Sequence, residues 1–467
     1  MKYEVFKSAV NSMGNAVRKK VLLATILLAS TGAKAQFTST NIITGLPFPV
    51  SFEIAPDGRY FVSCKGGAGF GSPANAQVRV YNTAGVFQAN LWDFTDSVET
   101  YFERGVLGVA TDPNFLTNHY VYVFYNHDSP AMIRVVRFKE TLGVGSDPTI
   151  IFEVNDPYTA GNHTGGNIHF MNNDTTHLFI SIGDRAVTST AQDLTKWAGK
   201  ILRINKNGSI PTNNPFYDDG NPATGNDDRI WTYGHRNPWD FTFSTLTDTL
   251  YSTENGLNTE DEINLITGGN NYGWPNCEGT APYLGSCTGY TAPLDVWTAP
   301  VPAVTGIMFY TSPVFPTYTN HLIVTDYNDG NVWDIELGNA PVYNTLVSRT
   351  LISALTLTDV TDIQQGPEGC WYLNHNAYSG SGVIRRLCPT GFSVSEAYDG
   401  NHYTVYPNPA NDMLNIAGKN VEKIELIDLN GKTVISTMEK SIDVSTLATG
   451  IYQLRVNGIA IDKIVKQ

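Results

Sequence analysis

Basic charge is in short supply in this chain of 467 residues: 30 Lys and Arg stand against 44 Asp and Glu, for a formal net charge of −14. That balance repels phosphate backbones and anionic membrane surfaces, which excludes nucleic acid as a natural partner. Long apolar runs are missing too. After the N-terminal segment no stretch keeps the uninterrupted apolar length that a membrane-spanning helix needs, so no transmembrane segment is expected. Helical periodicity is nearly absent, and cysteine is limited to five residues. What is present is a composition 42% hydrophobic and 11% aromatic, ample for a packed core, in a chain long enough for more than one domain.

The N-terminus indicates the compartment. Arg18-Lys19-Lys20 precede the short apolar run VLLATILLAS and then GAKAQ, the order of a secretory signal peptide over residues 1–35 with a mature start near Gln36. Met13 is a possible true start. Export permits disulfides. Cys277 and Cys287 bracket the short loop CEGTAPYLGSC and are expected to pair. Cys370 and Cys388 flank a hairpin-like segment and can also pair, leaving Cys64 over; small buried thiols are the other reading for these three.

One unit recurs between the signal and about residue 390: an apolar strand, a tight polar turn and a second β-rich strand. It reads FEIAPDGRYFVSC, LGVATDPNFLTNHYVYVFYN, IHFMNNDTTHLFISIGD, FTFSTLTDTLYSTENG, MFYTSPVFPTYTNHLIVTDYNDGNVWDIEL and TDIQQGPEGCWYLNHN. β-Branched residues around Pro, Asp, Asn and Gly are the hairpin signature. Six copies, spaced more widely than the roughly 40–45 residues of a WD40 blade, predict an all-β chain whose residues 36–390 form a six-bladed β-propeller with long inserted loops. A pair of β-sandwiches would not explain six copies of one motif. Polar, turn-rich residues 391–402 read as a linker, and residues 403–467, with short strands between Asn-Gly and Thr-Gly turns, as a small C-terminal β-sandwich.

The tail resembles a type IX secretion C-terminal sorting domain in Tyr406-Pro407-Asn408-Pro409, Asp428 with Gly431-Lys432, Asp443-Val444-Ser445, Gly450-Ile451-Tyr452 and Lys463-Ile464-Val465-Lys466. The resemblance implies delivery across the outer membrane by the type IX machinery, with the tail removed and the protein released or held at the cell surface. An adhesive or carbohydrate-binding module is the alternative. The repeat region resembles the soluble glucose/sorbosone dehydrogenases that use pyrroloquinoline quinone (PQQ), in ERGVLGVATDPNF, NHTGGNIHF with ISIGD, DLTKWAGKILRINKNGSIPTNNPF, YGHRNPWD and DEINLITGGNNYGWP.

This second resemblance gives several residues expected roles. His163, in a glycine-rich loop, matches the catalytic base, and a neutral imidazole is well suited to take a hydroxyl proton as hydride leaves. Asp184, ending the same hairpin, matches the carboxylate that sets the imidazole's tautomer. Arg236 and Asn237 match the pair touching the cofactor, Arg236 offering a permanently charged donor fork to an oxygen gaining negative charge, while His235 is read as structural. The backbone carbonyls of Gly256 and Leu257 match calcium ligands; Asp261 and Glu262 either serve a structural calcium or cap loop amides. Trp297 is expected as a stacking wall.

The departures from the family pattern are specific. Glu103 stands where the quinone-binding enzymes have glutamine, and the positions that supply a lysine and two arginines to the cofactor's carboxylates fall at about Asn328, Asp359 and Thr361. Each lost charge-assisted bond removes about 1.5–3 kcal/mol. Three readings follow: a quinone- and calcium-dependent sugar dehydrogenase, a propeller that binds a glycan or peptide without chemistry, and a calcium-dependent hydrolase such as a lactonase.

Overall fold

The computed structural model describes residues 37–466, apart from 68–73, 172–173, 353–354, 356, 391–403, 418–420, 429–431 and 458. The expected signal peptide, the linker and Gly431 lie outside the described residues. The chain divides into two compact units, Met1–Gly391 and Phe392–Gln467.

Among the described residues, the first unit contains six four-stranded antiparallel sheets. Each of the six sequence repeats supplies the first two strands of one sheet. The first sheet runs Pro49–Ile54, Tyr60–Cys64, Gln77–Tyr81 and Phe87–Asp93, and the second runs Val106–Thr111, Tyr120–His127, Met132–Thr141 and Val144–Asn155. The third comprises Ile168–Phe170, His177–Ile182, Lys200–Asn205 and Ile230–Tyr233. The fourth comprises Pro238–Phe243, Leu250–Glu254, Glu260–Ile266 and Asp295–Thr298, with the ribbon Cys277–Glu278 and Ala281–Pro282 inserted before its last strand. The fifth is Val304–Tyr310, His321–Asp326, Val332–Gly338 and Thr345–Leu351. In the sixth, Asp362–Gln365, Trp371–His375 and Gly382–Pro389 are completed by the N-terminal strand Phe37–Leu46, which pairs Phe37 with Pro389. Helix is confined, among the described residues, to Phe115–Asn118 and two 3₁₀ turns.

The apolar runs that lack clean alternation are strands buried on both faces, such as Val106–Thr111 and Tyr60–Cys64, every residue of which is buried. Their side chains fill layers between neighbouring sheets. Tyr122, Phe124, Ile168, Leu178 and Ile180 join the second sheet to the third, and Tyr310, Ile323, Trp371 and Leu373 join the fifth to the sixth. Truncating a fully buried aromatic such as Trp371 in such a layer costs about 3–5 kcal/mol. Polar latches cross the same joints. Ser63 Oγ donates to Leu107 O at 2.5 Å, Thr253 Oγ1 to Thr305 O at 2.5 Å, and Phe52 N to Asp362 Oδ2 at 2.9 Å, the last linking the first sheet to the sixth. Neighbour contacts therefore close on themselves.

Cys277 and Cys287 form a disulfide, as expected, and so do Cys370 and Cys388. Cys64 is free and buried, and burial pushes its thiol up to about 12, which leaves it inert as a nucleophile.

The second unit has a sheet of Thr404–Tyr406, Met413–Ala417 and Ser441–Asp443 and a sheet of Ile424–Ile427, Thr433–Thr437, Gly450–Val456 and Ile459–Lys466. Alternation in Met413–Ala417 and Gly450–Val456 turns Leu414, Ile416, Tyr452, Leu454 and Val456 into one core shared by both sheets.

Candidate active site

Antiparallel pairing brings the start of each sheet's first strand and the end of its second strand to the same end of the sheet. His163 and Gly165 precede the first strand of the third sheet, and Asp184 follows its second. Arg236 and Asn237 precede the first strand of the fourth sheet, and Glu254 to Gly256 end its second. These two ends are stitched together: Asp184 N donates to Arg236 O at 2.7 Å, and Gly165 N to Asn237 Oδ1 at 3.2 Å. Gly183 is required at the seam, because a Cβ there would lie 2.3 Å from His163 O and 2.9 Å from Asn237 Oδ1.

His163 Nδ1 and Asp184 Oδ1 are 2.6 Å apart, with His163 9% exposed and Asp184 fully buried. A carboxylate only accepts, so Nδ1 carries the hydrogen and Nε2 keeps its lone pair. The Asp184 carboxylate is held by two further donors, Ala186 N at 2.8 Å and Trp274 Nε1 at 2.8 Å. His163, Arg185 and Ala186 have φ of 55°, 57° and 58°, left-handed values that non-glycine residues adopt only when their surroundings impose them. The imposing contacts are charged. Arg185, fully buried, donates to Thr164 Oγ1 at 2.6 Å, Asn162 O at 3.2 Å and Asp156 Oδ2 at 3.0 Å; Arg104 donates to Ala160 O at 3.1 Å and lies 3.5 Å from the same aspartate. Behind them the buried Lys200 Nζ donates to Thr190 O, Ala191 O and Ala198 O at 2.7, 3.0 and 2.8 Å, and burial pulls its ammonium down to about 7.

Arg236 lies over the Trp274 ring at 5.5 Å, and its Nη1 donates to Asn255 O at 2.9 Å and Gly256 O at 2.6 Å. Its buried Nε has no partner among the described residues. His235 is fully buried, bonded to Glu254 and Thr232 and stacked on Tyr272, a structural arrangement. Glu103, half-buried, accepts from Thr164 N at 3.3 Å, and burial, partly offset by the nearby His163, raises its carboxyl. Lys65 lies near Glu103; it is buried, donates to Thr100 O at 2.8 Å, and is pulled down to about 8 by burial.

The structure thus brings His163, Asp184, Arg236, Asn237, Glu103 and Gly256 together. The acidic residues beside Gly256 are engaged with backbone. Asp261 accepts from Gly256 N at 2.9 Å and Val304 N at 3.1 Å, and Glu262 accepts from Gly279 N at 2.7 Å. Glu278, which sequence reasoning did not single out, accepts from the amides of Leu257, Asn258 and Thr259 at 2.7 Å each. Burial and the neighbouring Glu254 hold the Glu262 carboxyl well above its ordinary range. Trp297 departs from expectation. It lies 5% exposed in the layer between the fourth and fifth sheets, against Trp333 and beneath Arg349 at 4.5 Å, so no face is free for stacking. Trp274 holds the position against the Asp184 carboxylate; its presence in NNYGWP was the available signal.

A cavity of about 190 Å³, lined by none of these residues, runs along the first strands among Glu53, His169, Asp240 and Asp362. Asp240 accepts from His169 Nε2 at 3.2 Å and Ile307 N at 3.0 Å. Burial and then the Asp240 charge push the Asp362 carboxyl up to about 7; burial also raises Glu53. For His169 burial works downward and is the largest single influence, but the Asp240 hydrogen bond together with the charges of Asp240, Glu53 and Asp362 outweighs it and raises the imidazole. The folded protein thus holds more protons here than the unfolded chain between about pH 4 and 7, so these groups lose stability as pH rises through that window, on the order of a few kcal/mol. Asp362→Asn should flatten the fall in melting temperature between about pH 4 and 7. Parallel curves for variant and parent would contradict this account of the cavity.

Residues 46–385 match the family described as Glucose / Sorbosone dehydrogenase, and residues 404–467 match the Secretion system C-terminal sorting domain, which implies secretion or cell-surface display. An aldose sugar dehydrogenase of Escherichia coli is 30% identical over 296 residues, covering 60% of this chain and 76% of the relative. Quinoprotein glucose dehydrogenase B of Acinetobacter calcoaceticus is 30% identical over 206 residues, covering 38% and 41%. The apo crystal structure of the soluble aldose sugar dehydrogenase of Escherichia coli superposes with a TM-score of 0.65 at 25% identity, covering 76% of this chain and 99% of that one. The PQQ-bound aldose sugar dehydrogenase of Streptomyces coelicolor, at a TM-score of 0.61 and 22% identity over 76% of this chain and 99% of that one, shares the fold. The first unit is a β-propeller of this dehydrogenase type.

Proposed function

Because the chain belongs to the glucose/sorbosone dehydrogenase family, we propose that it oxidises aldoses where its third and fourth sheets meet, with PQQ as hydride acceptor and calcium beside it. In this reading the six sheets are the blades of a six-bladed propeller, residues 1–35 are a signal peptide, residues 36–390 the propeller, residues 391–402 a linker, and residues 403–467 a sandwich-type sorting domain. The observation that carries it is the His163–Asp184 pair at 2.6 Å, with Arg236 across Trp274.

Asp184 fixes Nδ1–H of His163, so Nε2 is the atom that takes the sugar hydroxyl proton, and the resulting imidazolium is stabilised by the same carboxylate. PQQ, when bound, supplies the carbonyl that accepts the hydride. Arg236 and Asn237 would hold its oxygens, and the unpartnered Arg236 Nε fits that task. The cofactor's carboxylate end fits poorly. Asn328 donates to Val301 O at 3.2 Å, Asp359 is itself acidic, and Thr361 Oγ1 is taken by Asn374 Nδ2 at 2.7 Å. Calcium would rest on the Gly256 and Leu257 carbonyls, the first of which accepts from Arg236 Nη1 at 2.6 Å and would have to be released by it, while the Asp261 and Glu262 carboxylates accept from amides.

Titrating the apo-protein with PQQ plus calcium should raise its melting temperature, since a ligand confined to the folded state stabilises it. Saturation should require quinone well above stoichiometric, and Arg236→Ala should weaken it further. No shift at any quinone concentration would overturn the cofactor assignment and favour a glycan-binding propeller, which a glycan array would then test.

A further inference from the structure

Outside the residues of this cleft, the loop between Lys200–Asn205 and Ile230–Tyr233 of the third sheet carries an acidic sequence, DDGNPATGNDD, over residues 218–228. Asn205 pairs with His177, so the loop leaves the third sheet at the opposite end of that strand from Asp184. Carboxylate oxygens of Asp218, Asp219 and Asp228 all lie within 4.8 Å of one another. Two oxygens that share one Ca²⁺ at about 2.4 Å each can be no further apart than about 4.8 Å.

Acidic clusters on loops are common, and this one differs in Asp228. That residue is fully buried, its Oδ1 accepts from Asp218 N at 2.6 Å, and its buried Oδ2 has no hydrogen-bond partner among the described residues. A buried carboxylate oxygen left without a donor is costly unless something else satisfies it. No cationic side chain does so: among the described residues none of the three carboxylates meets a lysine, arginine or histidine, and nearby Arg229 is engaged with Asp227 at 2.7 Å. The loop is also shaped around its acids. Asn226 N donates to Asp218 Oδ2 at 2.8 Å, Thr224 Oγ1 to Asp219 Oδ2 at 2.5 Å, and a Cβ at Gly225 would lie 2.2 Å from Asp218 Oδ2.

We infer that Asp218, Asp219 and Asp228 form a calcium site, separate from the proposed active site, that fastens this loop to the third sheet. All-oxygen donors on an irregular loop suit a hard cation that tolerates irregular geometry and completes its shell with water. An exported protein would meet calcium concentrations that fill a site of the extracellular kind, with a dissociation constant of about 10⁻⁴–10⁻³ M.

The test uses the full chain, stripped with a chelator and titrated with calcium chloride alone, without quinone or sugar. Bound calcium is counted by equilibrium dialysis, and the melting temperature is followed alongside. Asp219→Asn, at an exposed position, and Asp228→Asn, at the buried one, should each bind one calcium fewer than the parent and lose part of the calcium-dependent rise in melting temperature. Calcium at Gly256 and Leu257 would remain in both variants. If Asp228→Asn fails to fold, Asp219→Asn decides alone. Unchanged calcium stoichiometry and an unchanged calcium-dependent shift in Asp219→Asn would overturn the proposal.

Discussion

Glutamine in place of His163 is expected to lower kcat for aldose oxidation by about 10²–10⁴-fold, the range that a positioned general base contributes. Quinone binding should be retained, because the imidazole moves a proton and does not hold the cofactor. Asp184→Asn should approach the same loss by a different route. The carboxylate now takes three donors, from His163, Ala186 and Trp274. An amide can turn an N–H toward His163, which favours the tautomer with its lone pair on Nδ1 and the hydrogen on Nε2. Measuring kcat and quinone affinity separately distinguishes this from a binding defect. A His163→Gln enzyme with parental kcat would remove His163 from the chemistry.

Arg185→Met is expected to cost about 3–5 kcal/mol of stability, the penalty for leaving one partner of a buried ion pair uncompensated. Arg185 is fully buried against Asp156 at 3.0 Å, and it also serves Thr164 Oγ1 and Asn162 O on either side of His163. Arg104, 3.5 Å from the same aspartate, keeps part of the charge balance, so the chain should still fold. Activity should then fall through looser placement of the imidazole. Denaturant unfolding of parent and variant checks the first effect; a loss below about 1 kcal/mol would show that Asp156 is neutralised by Arg104 alone.

Much of this molecule could be read from its sequence because β-hairpins are local. The turn in FEIAPDGRYFVSC and its five counterparts join strands adjacent in both chain and sheet, so the periodicity reported the sheets directly. The strand that completes the sixth sheet, Phe37–Leu46, was not legible: it pairs with Gly382–Pro389 across nearly the whole first unit, and its pattern of exposed Thr, Ser and Asn does not name a partner. His163, Asp184, Arg236 and Asn237 could be placed together because each stands at the end of a strand that the repeat had located. Trp297 was misplaced because an aromatic in a loosely aligned segment fits a core layer as well as a cleft. The Arg185–Asp156 pair depends on two loops meeting in space, and no spacing in the chain signals it. Nor did sequence alone show that Asp261 and Glu262 already bind amides, since a carboxylate at the start of a strand suits a metal and a loop amide equally.

The most direct measurement is reduction of an artificial electron acceptor by the PQQ- and calcium-loaded protein, with an aldose and with the same aldose deuterated at C1. The account predicts turnover with both, slower for the deuterated sugar, and lowered about 10²–10⁴-fold in both cases by His163→Gln. Protein that binds the quinone yet gives no turnover with any aldose, or an equal residual rate in His163→Gln, would contradict it.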